Sequence, residues 1–203
     1  MKKLLFITLL FTVACVSSSY QDNDKDKQVA KNLKGTWEGS IYLNDEEIPV
    51  DYQFFETDGT KGNFIEIAYL HEYDGDFDIR YFDFVSGEFS VENGQLLLTF
   101  LPETTSAEPY DEQVLMEYAA ALMDYYQEEG RDILWDSVDE LANSVLEMLE
   151  EEWGSVCEER NNTSGLFSNL TVTEGKMSFV DGERTLEFKK GNQDWFTAYP
   201  FAE

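Results

Sequence analysis

The sequence predicts a mainly β chain with a helical insertion, an antiparallel barrel or meander of about 8–10 strands. Three observations carry that class. From Leu33 to Leu101, short alternating segments follow one another at close intervals with turn residues between them, as antiparallel barrels and sandwiches require. From Tyr110 the apolar period changes to that of a helix, and after Gly165 short strands return.

The opening strand is Gly35 to Leu43. Trp37, Ile41 and Leu43 fall on one face and Thr36, Glu38, Ser40 and Tyr42 on the other, so one side is core and the other wet. Gly35 and Gly39 permit the bend or close approach that a curling sheet needs beside an indole. Asn44-Asp45-Glu46 is a turn, and Glu47 to Glu56 carries Val50, Tyr52 and Phe54 on one side. A second turn around Gly59 leads to Phe64–Leu70, and Asp74-Gly75-Asp76 turns the chain again. Phe77 to Val85 and Glu88 to Val91 read as two strands. Asn93-Gly94 is a strong hairpin signal before Gln95 to Phe100.

Residues 102–109 read as a Ser/Thr/Pro loop. Leu115, Tyr118, Leu122 and Tyr125 then mark one amphipathic helix, ended by Gly130. Leu134, Val138, Leu141, Val145 and Leu149 mark a second, reaching toward Cys157, so the insertion occupies about 103–164. Trp135 and Trp153 lie off the main stripe and call for a further cover. The hairpin is therefore expected to pack on the barrel. After the polar run Arg160 to Gly165, strands are predicted over Asn169–Thr173, Lys176–Val180 and Thr185–Lys189. Trp195 to Phe201 is an aromatic tail, read as a last edge strand or a plug on the core.

The N-terminus gives an address. Met1-Lys2-Lys3 and the apolar run Leu4 to Ala14 form a secretion signal too short for a comfortable membrane span. Thr12-Val13-Ala14-Cys15 resembles a bacterial lipobox, which implies cleavage before Cys15 and a lipid anchor, palmitate included, on that cysteine. Residues 15–32, polar and without periodicity, read as a flexible tether. The acidic stretch within it, soon after Cys15, is similar to surface-export signals of Gram-negative lipoproteins. The expected place is the cell envelope, at the outer membrane, on its periplasmic face or the cell surface.

Gly35 and Trp37, a Gly-x-Trp pair opening the first strand, resemble the start of a lipocalin or a bacterial lipocalin-like lipoprotein domain, here residues 33–203. The resemblance implies a barrel able to hold a small apolar ligand, and it makes Arg184 the arginine packed over Trp37. A helical insertion among the strands, in place of one helix after them, departs from that family. Trp37, Tyr52, Phe54, Tyr69 and Tyr81 are the candidate ligand-lining residues, and they equally well fill a small barrel.

Catalytic and metal signatures are weak. Asp74-x-Asp76-x-Asp78 has the opening of a calcium loop, but Ile79 stands where glycine is needed and Val85 where a bidentate glutamate is needed, so it reads as an acidic turn. His71 is the only histidine, with no nucleophile motif around it. Cys157 reads as a small apolar residue of the helix face. With 42 acidic residues, a carboxylate pair suited to a hydrolase is expected by chance and carries little weight. A formal charge of −28 argues against nucleic acid. The sequence thus points to a non-catalytic envelope binding protein without cofactor or metal, holding a small apolar ligand or engaging a protein partner through its helical insertion or acidic face.

Overall fold

The computed structural model describes residues 24–163 and 166–193. The predicted signal, Cys15 and the aromatic tail lie outside the described residues. As the strand rhythm predicts, the chain is mainly β, with a closed barrel of eight antiparallel strands and, among the described residues, three α-helices.

The strands are β1 (Gly35–Leu43), β2 (Glu46–Asp58), β3 (Lys61–Asp74), β4 (Phe77–Glu92), β5 (Gln95–Phe100), the short β6 (Ser106–Pro109), β7 (Leu166–Val172), β8 (Lys176–Asp181) and β9 (Arg184–Lys190). Around the barrel the order is β3-β2-β1-β9-β8-β7-β5-β4, and β4 pairs back onto β3 to close it. β6 lies outside the ring, paired with residues 81–84 of β4 beyond the reach of β5. Closure leaves none of those eight strands as a bare edge.

Local chemistry places the turns. Asn44-Asp45 and Asn93-Gly94 both take positive φ at their two central positions, the backbone that matches hairpin twist. The two strands expected within residues 77–91 are one continuous β4, because Gly87 keeps the ladder while yielding its space. The ring of Phe64, directly opposite Gly87, lies only 2.4 Å from where a Cβ would stand. Gly39 makes the same concession to Phe188, also at 2.4 Å. An eight-stranded bore is just wide enough for side chains, so an inward glycine beside a ring is how the ring fits.

Inside, Tyr52, Phe54, Phe64, Phe89, Phe100, Phe179 and Phe188 form a connected array of rings 5.2–6.0 Å apart. Trp37 is fully buried among them. Its indole N–H donates to the Leu33 carbonyl, and the Lys190 ammonium sits 4.2 Å above its ring. The cation over Trp37 is therefore Lys190. Arg184 instead covers Tyr42 at 4.5 Å and pairs with Asp45, because the start of β9 lies at the opposite end of the barrel.

Each end of the barrel has its own helix. Residues 24–33, expected within the tether, form helix α1. Its Ala30 and Leu33 are fully buried, and Asp26 accepts the N–H groups of Asn93 and Gly94. That apolar contact is too short to register as a period, but it closes the lower end. Across the upper end lies α3 (Val138–Thr163), which starts later and runs further than its apolar stripe suggested. The stretch containing Leu134 stays outside the helix.

Above the barrel, residues 69–74 of β3 and 77–82 of β4 pair with each other beyond the reach of β2. Helix α2 (Glu112–Glu128), capped by Asp111, packs with the first half of α3 on this overhang through Leu115, Ala119, Leu141, Val145, Ile79 and Tyr81. The overhang and the two helices make an arm with its own small core. The second half of α3 belongs to the barrel core through Trp153 and Cys157. The hairpin is thus joined to the barrel through Trp153, whereas Trp135 finds its cover inside the arm, stacked on Tyr126.

The glycine–ring pairing yields a direct test. Gly87→Ala should cost about 1–3 kcal/mol by overpacking, measured by urea denaturation. Gly175→Ala, where a Cβ meets nothing within 4 Å, should be close to neutral.

Candidate functional site

The chemically distinctive region lies where α3 crosses the upper mouth. Arg160 projects from α3 into the bore and is almost fully buried. Its guanidinium donates to both carboxylate oxygens of Glu66, at 2.6 and 2.8 Å, and to the Tyr52 hydroxyl at 3.1 Å. It also stacks on Phe100 at 4.1 Å. Two parallel N–H···O bonds are the strongest form of an Arg–carboxylate contact. Burial works against the arginine's charge, but Glu66 and Tyr52 outweigh it, so its pKa is raised and it stays charged. Burial first, and then Glu66, push the Tyr52 hydroxyl well above its ordinary value. The next residue, Asn161, bonds both the N–H and the carbonyl of Phe100, standing in for a strand partner at the end of β5.

Asp83 lies on the same inner wall, fully buried. Neither of its oxygens, nor the indole N–H of Trp153, has a hydrogen-bond partner among the described residues. Burial, then the charges of Glu150 and Glu152, push the Asp83 carboxyl up to about 8. Cys157 is fully buried nearby, and burial pushes its thiol up, so it has the inert character of a core cysteine.

Beside Arg160 a cleft of about 210 Å³ opens between α3 and the barrel rim. Ile41, Val156 and Phe167 give it apolar walls, and Arg160, Glu159 and Asp181 give it charge. A second groove, of about 420 Å³, runs along the arm between the β3–β4 turn and α2, bordered by Phe77, Leu122, Tyr118 and Tyr125. Tyr118 donates to Asp74 there, and burial with that carboxylate raises its pKa to about 12.

The five candidate ligand-lining residues separate into three places. Trp37, Tyr52 and Phe54 are in the barrel core, at most 1% exposed. Tyr81 belongs to the arm's core, and Tyr69 faces outward on β3 against Phe82. Sequence reasoning passed over Arg160, set in a polar run, and Asp83. The available signal was Glu66, a charged residue on the apolar face of Phe64, Ala68 and Leu70, which demands a buried partner. His71 stands exposed 3.7 Å from Asp78, and Asp78 chelates Arg80, so the Asp74–Asp78 run is an acidic turn entering a strand. Among the described residues no cluster of three potential metal ligands occurs, and no helix is long and apolar enough to cross a membrane.

The class that this geometry defines is a closed antiparallel barrel, plugged at both ends and bearing a helical arm. Comparison with protein families, curated proteins and solved structures finds no match to the chain.

Two predictions follow from the buried charges. Arg160→Met strands Glu66 in the core and should cost about 3–5 kcal/mol by chemical denaturation, while adding Glu66→Gln should recover much of that loss. For Asp83, the unfolded carboxyl loses its proton near its ordinary 3.8 and the folded one near about 8. Between those values the folded state holds the extra proton, so this group's contribution to stability falls as pH rises through that window. Asp83→Asn removes the titration, and the drop in melting temperature between pH 5 and pH 8 should shrink.

Proposed function

We propose that this protein is a non-catalytic binding module of the cell envelope, anchored through lipid on Cys15, that engages a basic protein partner through its arm. The observation that carries the reading is where its exposed apolar side chains fall. Among the described residues, Tyr73, Tyr110, Tyr125, Ile133, Leu134 and Met148 gather on the arm, with Leu134 80% and Tyr73 and Tyr110 each 67% exposed, whereas Tyr42, Leu97 and Leu166 are scattered singly over the barrel. Tyrosine and methionine are enriched in protein interfaces, where tyrosine supplies contact area at small entropic cost and methionine adapts its shape to the partner. The same arm carries exposed acidic residues, Asp74, Asp76, Glu117, Asp124, Asp132 and Glu147, the first two beside Tyr125 in its groove. A partner presenting lysine and arginine among apolar groups complements that surface. The barrel interior, by contrast, is occupied by its own rings.

A second reading has the rim cleft as its support. Its apolar walls and the buried Arg160 suit a small ligand with an apolar body and an anionic end, taken at the mouth and not in the bore.

The experiment is site-specific photo-crosslinking in the native envelope. A crosslinker at Leu134 should give a discrete protein adduct that is lost with Tyr110→Glu and Met148→Glu, while the same group at Leu97 on the barrel gives none. Equal labelling at both positions, or an adduct indifferent to those charges, refutes the arm. A small molecule retained by the intact protein in native mass spectrometry, and lost on substituting Val156 and Phe167 at the cleft, favours the second reading. Cys15→Ser should move the protein from the membrane fraction to the soluble one.

A further inference from the structure

One wall of the barrel breaks the inside–outside rule that the others keep. β5 and β9 alternate buried and exposed residues, as a strand with one wet face should. β3 does not: Phe64, Glu66 and Ala68 point into the bore, yet Ile65 and Ile67 on its outer face are only 4% and 0% exposed. On β4 the outward Phe84 is 2% exposed, and on β2 the outward Asp51 and Gln53 are each 6% exposed. Register makes these one patch, since Gln53 faces Ile65, Asp51 faces Ile67, and Ile67 faces Phe84. Phe55, Tyr69 and Phe82 border it. Helices α2 and α3 lie on the other face of the overhang, against Ile79 and Tyr81, so they are not its cover. Complete burial of an isoleucine on the outside of a barrel requires something laid over it.

We propose that the cover is the chain's own C-terminal segment, residues 194–203, strapped across the outer wall of β2, β3 and β4. The described chain ends beside this patch. After β9, Gly191 donates to the carbonyl of Thr36 and the Thr36 hydroxyl donates to the carbonyl of Gln193. Thr36 points outward and is 4% exposed, and its neighbour across the ladder is Gln53, the first residue of the patch. From Thr36 to Phe84 is three strand spacings, about 14 Å in all. Residues 194–201 span up to about 26 Å when extended, so the reach is ample. The segment also has matching chemistry: Trp195, Phe196, Tyr199 and Phe201 bring four rings, and an extended run sets Trp195, Tyr199 and Phe201 on one side. Pro200 suits a strap, which needs no ladder of its own.

The strap is tested on the intact chain by labelling it with 5-fluorotryptophan and assigning Trp195 by Trp195→Phe. A Trp195 fluorine resonance that barely moves between H2O and D2O is expected. A full solvent shift, as an exposed indole gives, overturns the proposal. Ending the chain after Gln193 should lower the melting temperature by about 10 °C or more, given the apolar area uncovered, and raise binding of an apolar dye. A truncated chain with unchanged melting and no dye binding refutes the strap. If sedimentation instead shows a dimer of the full chain that Ile67→Asp dissociates while Trp195 stays exposed, the cover is a second copy and the proposal falls.

Discussion

The bore of an eight-stranded barrel is the constraint from which the rest of this structure follows. It admits one layer of side chains and little else. Tyr52, Phe54, Phe64, Phe100 and Phe188 take that room, and glycines at 39 and 87 recede so that rings can seat. Apolar contact alone would close such a core. Instead it contains a charged pair, Arg160 with Glu66, whose ions leave water at a cost offset by their bidentate geometry, the Tyr52 hydroxyl and the face of Phe100. The pair therefore contributes position more than stability. It fixes which turn of α3 lies over the mouth, and Asn161 then registers that turn against β5. With α3 set, its first half is held over the β3–β4 overhang and the arm has its direction.

How legible this was depended on whether the physics was local. Asn44-Asp45 and Asn93-Gly94 announced their hairpins because a turn's backbone is decided by its own residues. Trp37, Val50, Tyr52 and Phe54 announced the inner face by simple alternation, and the barrel class came with them. Helix α1 was hidden because it buries only one short stripe, Val29, Ala30 and Leu33, beneath a run of charges that reads as solvated chain. Arg160 was hidden for the opposite reason. Its partner lies 94 residues earlier, and its neighbours Glu158, Glu159, Asn161 and Asn162 are polar, so nothing nearby marked it as buried. The same distance effect assigned the cation over Trp37 to Arg184, when the end of β9 that reaches the indole carries Lys190. Tyr69 and Tyr81 were grouped by residue type, whereas the pleat and the overhang send them to different sides and different cores.

The unsatisfied groups are as informative as the paired ones. Asp83 and the Trp153 indole are buried without hydrogen bonds among the described residues, beneath a helix that carries Glu150 and Glu152. Together they make the contact between α3 and the inner wall more costly than the apolar contacts around it. The second half of α3 is thus held by Arg160, Asn161 and its apolar contacts, with no contribution from Asp83 or the Trp153 indole N–H.

The placement of α1 has a consequence for how the molecule stands. Because α1 closes the end of the barrel opposite to the arm, whatever holds the chain before residue 24 holds the molecule by that lower end. With an anchor at Cys15 as proposed, the intervening residues 16–23 reach at most about 28 Å, so the lower turns stay close to the bilayer. The barrel then acts as a spacer of fixed length. On that proposal the acidic, tyrosine-bearing arm would be carried at its far end, away from the lipid surface.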